Sequence, residues 1–167
     1  MSKKELMLLD WMRKVHQLEY AHCFQSISFS HTERRAGIWA FILSTVVAFT
    51  YRFPFIEQPW VKEYLLPLIL FAVAILTGYQ SFIRPGEKAE KHRELGIEYE
   101  RIRHEIEMIL TTQINNPELD DKINSVKSRW DSLKTMYVRE SHYNEAKKKV
   151  KSFNKYPKEL NFLPDNE

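Results

Sequence analysis

Cysteine and glycine are scarce in this chain of 167 residues, which has one cysteine, Cys23, and four glycines. A single cysteine excludes an intramolecular disulfide and a cysteine-based zinc site. So few glycines leave little from which to build a phosphate-binding loop or a nucleophile elbow. Neither motif occurs in the sequence, and H-E-x-x-H is absent as well. We therefore expect no nucleotide-binding turn and no disulfide framework.

An excess of charge of one sign is also lacking, because 25 lysines and arginines stand against 22 aspartates and glutamates. With a net charge of +3 and no basic patch interleaved with aromatic side chains, a nucleic-acid partner is not expected. No strand-like alternation of any length appears, which predicts an all-α protein. The first 35 residues carry charges throughout, so a cleavable signal peptide is not expected and the first span would be an uncleaved anchor.

Two long apolar runs are present, and they dominate the prediction. The run Tyr64–Ile83 has 20 residues without a charge, which as a helix would be roughly 30 Å long and match the hydrocarbon core of a bilayer. The run Ala36–Tyr51 has 16 uncharged residues, and it reaches about 20 if it continues to Ile56 past Arg52, whose stem can extend to the interface. We predict membrane spans at about 36–56 and 64–83. The alternative is a buried pair of helices in a soluble bundle. A chain this small could hardly surround two helices that are apolar on all faces, which favours the membrane.

The residues around these runs predict the topology. Only residues 52–63 connect the two spans, so 36–83 should form an antiparallel transmembrane hairpin. Arg34 and Arg35 precede the first span, whereas the connection holds Arg52 and Lys62 beside two glutamates. Four further basic residues follow the second span, namely Arg84, Lys88, Lys91 and Arg93. By the positive-inside rule both termini should be cytoplasmic.

The polar parts of the chain are predicted to be helical and cytosolic. Residues 1–35 should form an N-terminal helix, in which Leu8, Trp11, Val15, Leu18 and His22 recur at steps of three and four. Residues 84–156 should form a helical bundle with coiled-coil-like packing, and 157–167 a flexible tail. The packing positions predicted in the bundle are Leu95, Tyr99, Ile102, Ile106 and Ile109, then Leu119, Ile123, Val126, Trp130, Leu133 and Tyr137. The fold class is therefore all-α, a two-span hairpin with a cytosolic helical bundle.

Small side chains follow one another down each span. They are Ala36, Ala40, Ser44 and Ala48 in the first span, and Ala74, Gly78 and Ser81 in the second. Such ribbons let helix backbones approach closely in a membrane. The ribbons could pack within one hairpin or between hairpins, and the second arrangement predicts a homo-oligomer. Hydroxyl side chains in the spans can bond to their own helix. Gln80 cannot satisfy its amide in that way, but its place near the end of the span lets it reach interfacial water. We count all of these as candidate residues for span packing or for a pore.

Pro85 and Gly86 separate the second span from the cytosolic helix that follows. They could form a passive kink, or a hinge that carries cytosolic motion to the spans.

Catalytic constellations are hardly present. Glu19 and His22 form one E-x-x-H step, but a di-metal site in a helical bundle needs two such steps and two further glutamates. Chance spacing in a glutamate-rich helical protein accounts for it better. We expect no catalytic residue, no metal site and no cofactor, and therefore no enzyme.

The segment after the second span supports a resemblance to a known family. Its charged run from Glu87 to Tyr99, continued by Arg103–Glu107, follows a helix and a tight two-span hairpin in the way that SLATT proteins do. The chain resembles this family from about Leu6 to Phe153. SLATT proteins are bacterial two-transmembrane effectors associated with nucleotide-signalling conflict systems. The family has no catalytic residues that could be transferred to this chain.

The resemblance implies a pore-forming or membrane-disrupting effector of antiviral defence in the bacterial inner membrane. Such an effector would depolarise the membrane when phage infection is sensed. We expect no separate ligand-binding domain in this chain, so the signal would come from an operon-encoded sensor, a nucleotide-signalling protein or the cytosolic helices. The alternative is a membrane-anchored scaffold that recruits a signalling partner and conducts nothing.

Overall fold

The residues that the structure describes form helices joined by short connections, and no strand occurs among them. The structure is a computed structural model, and it describes residues 3–52, 58–112 and 116–157. In chain order this described part contains α1 (Lys3–Arg52), a π-helical turn (Val61–Leu65), α2 (Leu66–Ile83), α3 (Pro85–Thr111), α4 (Asn116–Ser132) and α5 (Glu140–Ser152). The prediction of an all-α protein is confirmed for these residues. Most of the predicted tail, from residue 158 onward, lies outside them.

Helix α1 is longer than the sequence pattern predicts. A separate N-terminal helix was expected to end before the first apolar run, but Lys3–Arg52 is one helix of 50 residues. The physical reason is the absence of any residue that would stop it. Gly37 is its one glycine, it has no proline, and Arg34 and Arg35 are good helix formers.

The chain divides into two compact units, which cut across the predicted domain boundaries. The first unit comprises residues up to Ser26 together with those from Glu90 onward, and the second comprises Ile27–Ala89. Each unit therefore combines a part of α1 with helices from much later in the chain.

The first unit has a continuous apolar core contributed by α1, α3 and α4. The buried residues of this core are Leu8, Val15, Tyr99, Ile102, Ile106, Ile109, Ile123 and Val126. Leu95, Leu119, Trp130 and Leu133 are partly buried against it, and Trp11 meets Trp130 edge to face with ring centroids 5.9 Å apart. Helix α5 buries Ala146 and Val150. Ten of the eleven predicted bundle positions therefore pack in this core.

Tyr137 is the predicted bundle position that does not pack. Helix α4 ends at Ser132, whose hydroxyl donates to the carbonyl of Arg129 at 2.7 Å and offers the backbone an alternative to further helical bonds. Leu133 still reaches the core, but Tyr137 lies in the non-helical segment before α5 and is 84% exposed. The predicted heptad pattern therefore extends past the end of the helix.

In the second unit, the last part of α1 and helix α2 lie against each other. The Gln80 side chain, near the end of α2, contacts Glu33 and Gly37 of α1, so the two helices are antiparallel. The least exposed positions of α1 in this unit are Ala36, Ala40, Leu43 and Val47, at steps of four, three and four. Those of α2 are Leu66, Ile69, Val73, Leu76 and Gln80, again at steps of three and four. Such spacing is typical of a narrow helix–helix seam.

A single residue separates α2 from α3. Arg84 adopts a left-handed conformation with φ 46° and ψ 59°, and its N–H donates to the carbonyl of Gln80 at 3.1 Å. Pro85 then begins α3, where its lack of an N–H costs nothing. The backbone break therefore lies one residue before the predicted hinge. Gly86 is already helical, and a Cβ at this position would collide with the Glu33 carboxylate.

Candidate functional site

The second unit exposes large apolar side chains along both of its helices. Phe41 of α1 is 73% exposed and Phe71 of α2 is 64% exposed. Other exposed apolar residues are Ile38, Trp39, Ile42, Val46, Phe49, Leu68, Leu70, Ile75 and Phe82. Single exposed apolar residues are common in soluble proteins, but a contiguous surface of this kind indicates contact with a membrane or a partner. We take this exposed apolar surface as the candidate functional site.

One helical stretch in the described residues is long and apolar enough to cross a membrane. It is Val61–Thr111, whose apolar part is the uncharged run Tyr64–Ile83, and only 6% of its most apolar window is buried. A core helix of a soluble protein would instead be mostly buried. Its length, composition and exposure make it a candidate for a membrane-spanning helix.

The first predicted span is not identified in the same way. Its 16 uncharged residues make a helix of about 24 Å, which is shorter than the hydrocarbon core of a bilayer. The extension that would lengthen it, residues 53–56, lies outside the described residues. Of the two predicted spans, only the second is therefore found as a candidate among the described residues, and the two-span hairpin stays a prediction.

Four hydroxyl groups of the apolar helices bond to carbonyls of their own helix, as the sequence analysis expected. Ser44 donates to the carbonyl of Ala40 at 2.8 Å, and Thr77 donates to that of Val73 at 2.9 Å. Thr45 and Thr50 make equivalent bonds one turn back along α1. These side chains can therefore face lipid without an unpaired polar atom.

Gln80 finds its partner on the other helix. Its side-chain nitrogen donates to the backbone carbonyl of Glu33 at 3.2 Å, and the same nitrogen lies 3.2 Å from where a Cβ on Gly37 would be. Gly37 thus leaves room for the Gln80 amide. The sequence identified Gln80 as a group in need of a partner, but only the packing of α1 against α2 shows which one.

The packing of α1 against α2 buries only some of the small residues in the predicted ribbons. Ala36 and Ala40 are buried in the seam between α1 and α2. Ser44 and Ala48 in α1, and Ala74 and Ser81 in α2, are exposed, while Gly78 is intermediate. A spacing of four residues drifts around a helix of 3.6 residues per turn, so one ribbon cannot stay in one seam. Leu43 and Val47, rather than Ser44 and Ala48, continue the less exposed face of α1.

Basic side chains lie at the end of the exposed apolar surface where its α1 part begins and where α2 ends. Arg34 and Arg35 precede it on α1 and are exposed. Arg84, which follows α2, is exposed as well and pairs with Glu87 at 3.1 Å. Exposed lysines at positions 88 and 91 follow on α3.

The E-x-x-H step at Glu19 and His22 does not assemble a metal site. The Glu19 carboxylate accepts a hydrogen bond from the Arg103 guanidinium at 2.7 Å, and both side chains are largely buried. Among the described residues, no group of three or more histidine, cysteine or acidic side chains could hold a metal ion.

His22 instead meets a second buried histidine, which the sequence analysis did not select. Its Nδ1 lies 2.8 Å from Nδ1 of His92, and the two side chains are 1% and 2% exposed. The His22 ring also stacks on Tyr99 at 5.4 Å. Burial, and secondly His92, lowers the pKa of His22 to about 4, and burial lowers the pKa of His92. His92 precedes Tyr99 by seven residues, so extending the heptad pattern backward would have found it.

A third buried histidine, His16, lies nearer the start of α1 than His22 does. His16 Nδ1 is 2.9 Å from the Tyr156 hydroxyl, and its ring stacks on Phe153 at 5.5 Å. Burial, aided by the positive charge of Arg103, lowers the pKa of His16 to about 4. The imidazole is thus neutral near pH 7 and can accept the hydrogen of Tyr156, whose pKa burial raises to about 12.

Comparison with known proteins adds no family assignment, since no family model, curated protein or solved structure matches this chain.

Proposed function

We propose that the chain is an integral membrane effector that permeabilises the bacterial inner membrane as a homo-oligomer. Two spans, at about 36–56 and 64–83, form a transmembrane hairpin, and both termini lie in the cytoplasm. The helices of the first unit are cytosolic and receive the activating signal from a partner such as an operon-encoded sensor. This is the activity that the resemblance to SLATT proteins implies.

The exposed apolar surface of the second unit carries this proposal. Burying large side chains such as Phe41 and Phe71 is worth about 1.5–3 kcal/mol each, so leaving the whole surface in water would be very costly. Lipid removes that cost along both helices at once. The 16 uncharged residues of α1 fit this role because they pair side by side with α2, and Arg52 can extend to the interface.

The charges support the orientation. Arg34 and Arg35 lie before the first apolar helix, and Arg84 lies after the second, whereas the connection has fewer basic residues and two acids. The positive-inside rule then places both polar flanks in the cytoplasm.

The division of the small residues supports an oligomer. Ala36 and Ala40 are used within one chain, but Ser44, Ala48, Ala74 and Ser81 stay exposed. Small side chains on an outer helix face allow a neighbouring copy to approach closely. Neither uncharged run contains an acidic or basic residue, so a pore built from these helices would be lined by small and hydroxyl groups.

The topology can be tested with the single native cysteine. Cys23 is exposed, and burial together with Glu19 raises the pKa of its thiol, so labelling is best done at alkaline pH. A membrane-impermeant maleimide should label Cys23 only after the bacterial membrane has been permeabilised. In a Cys23→Ser background, Gln58→Cys should react in intact cells because the connection faces outward. Equal labelling of the two positions in intact cells would contradict the proposed topology.

Oligomeric permeation predicts a loss of leakage from Ser44→Leu. The leucine disturbs no contact within the chain, because Ser44 is exposed and bonds only to its own helix. It would obstruct a neighbouring copy, and contacts of this kind are worth about 1–2 kcal/mol. We expect dye release from anionic liposomes that contain the purified protein to fall roughly tenfold.

The matched control is Phe41→Leu, which changes a lipid-facing side chain without adding bulk and should leave leakage unchanged. Equal leakage from both variants would remove the exposed small residues from the mechanism. If the unsubstituted chain inserts into liposomes but releases no dye even with its activating partner present, the scaffold alternative is correct and the pore is not.

A further inference from the structure

The histidine pair in the first unit joins two helices that are distant in sequence. His22 belongs to α1 and His92 to α3, and their Nδ1 atoms are 2.8 Å apart in a buried environment. A distance this short between two ring nitrogens requires one hydrogen between them. One imidazole therefore donates through Nδ1–H and the other accepts through a bare Nδ1.

The number of protons on the pair decides whether this contact can exist. Two neutral imidazoles share one hydrogen and form the observed bond. One added proton keeps that hydrogen bond but places a positive charge on two buried side chains. A second proton puts two N–H groups face to face at 2.8 Å, where neither can accept, so the contact has to break.

Several titratable and charged groups lie near His22. On α1 the nearby carboxylate is Glu19, which is already bonded to Arg103 of α3. Cys23 follows His22 directly and carries no charge near neutral pH. Tyr99 of α3 stacks on His22, and burial raises the pKa of its hydroxyl. From the segment before α5, the backbone N–H of Arg139 donates to the Gln25 side chain at 3.1 Å, three residues after His22 on α1.

From this geometry we infer that the His22–His92 pair is an acid-sensitive latch, which holds α1 against α3 while both imidazoles are neutral. Acidification opens the latch and releases the two helices in the first unit. This regulatory device is separate from membrane permeation and does not depend on it.

The direction of the pH effect follows from the burial of the pair. Above pH 6.5, the ordinary pKa of histidine, the imidazoles are neutral whether the helices are packed or apart, and protons do not affect the latch. As the pH falls from 6.5 toward 4, a released His22 takes up a proton that a packed His22 refuses. Between pH 6.5 and 4, protons therefore stabilise the open form. Opening is accompanied by the uptake of about two protons per histidine pair.

The test uses the full chain in detergent micelles and tryptophan as the reporter. Trp11 and Trp130 contact each other in the first unit, and replacing Trp39 and Trp60 with phenylalanine leaves only these two. Their near-ultraviolet circular dichroism is followed from pH 7.5 to 3.5. We expect the signal to be lost between about pH 6.5 and 4 in the parent chain.

The double variant His22→Phe with His92→Phe removes both titrating groups and keeps two aromatic rings in contact. Replacing both partners of a buried bond with apolar groups of similar shape can be nearly neutral at pH 7. We expect its acid transition to lie about one pH unit lower, with the remaining effect due to His16. The matched control, His31→Gln, changes an exposed histidine and should behave as the parent chain does. An unchanged midpoint in the double variant would overturn the latch.

A measurement on the unaltered chain keeps the inference testable if the double variant does not fold. In a ¹⁵N-histidine-labelled sample, the hydrogen shared by two ring nitrogens gives a scalar coupling between them. We expect this coupling at pH 7, and its disappearance on acidification together with the tryptophan signal. A chain that loses the coupling near pH 6.5 while its tryptophan signal stays intact would refute the latch.

Discussion

Ile75→Arg is expected to prevent α2 from crossing the membrane and to move the C-terminal part of the chain to the outside of the cell. Ile75 lies close to the middle of the uncharged run and is 56% exposed, so the charge would face lipid. An arginine at the centre of a span costs about 2.5–3.5 kcal/mol on insertion scales, which lowers insertion roughly a hundredfold. The first span would then be the only one left in the membrane.

A cysteine near the end of the described residues reports on this change. Lys155 is exposed, and Lys155→Cys in a Cys23→Ser background should be protected from an impermeant maleimide in intact cells. Adding Ile75→Arg should make it reactive. The matched control, Ile75→Leu, keeps an apolar side chain at the same place and should leave it protected. If arginine and leucine give the same labelling, α2 does not span the membrane.

Ile106→Ala is expected to cause a large loss of stability in the first unit. Ile106 is fully buried in the core that α1, α3 and α4 share. Removing three carbon atoms from such a site costs the transfer free energy of those atoms and leaves a cavity, about 2–5 kcal/mol in total. Urea unfolding in detergent, followed by the fluorescence of the Trp11–Trp130 pair, measures this loss.

Met108→Ala, two residues further along α3, is the control for this substitution. Met108 is 61% exposed, so its truncation should change the free energy of unfolding by no more than about 0.5 kcal/mol. Similar midpoints for the two variants would mean that the core of the first unit is not packed as the structure shows.

Much of the first unit could be predicted from spacing alone. Steps of three and four place Tyr99, Ile102 and Ile106 on one face of α3, and the structure buries all three. The pattern fails at Tyr137 because apolar spacing does not reveal where a helix ends. It also missed His92, because the heptad pattern was not extended seven residues back from Tyr99 into the charged run.

In the second unit, the apolar helix could be predicted from the sequence, but the packing of its small residues could not. The absence of charge in Tyr64–Ile83 identifies an apolar helix without any knowledge of its neighbours. The small residues could not be assigned to one seam in advance, because Ala40 and Ser44 lie 40° apart around a helix of 3.6 residues per turn. Which of them is buried depends on how α2 packs against α1.

Local physical chemistry, read from the sequence by itself, determined that the chain is helical, that one helix is apolar enough for a membrane, and that basic residues lie beyond it. These properties depend on backbone propensity, hydrophobicity and charge, each of which is carried by neighbouring residues. Only the tertiary structure decided that α1 is a single helix shared by two units, that Gln80 bonds to Glu33, and that His22 meets His92. Those contacts join residues 47 and 70 positions apart, and such pairings are fixed by helix packing rather than by any local pattern.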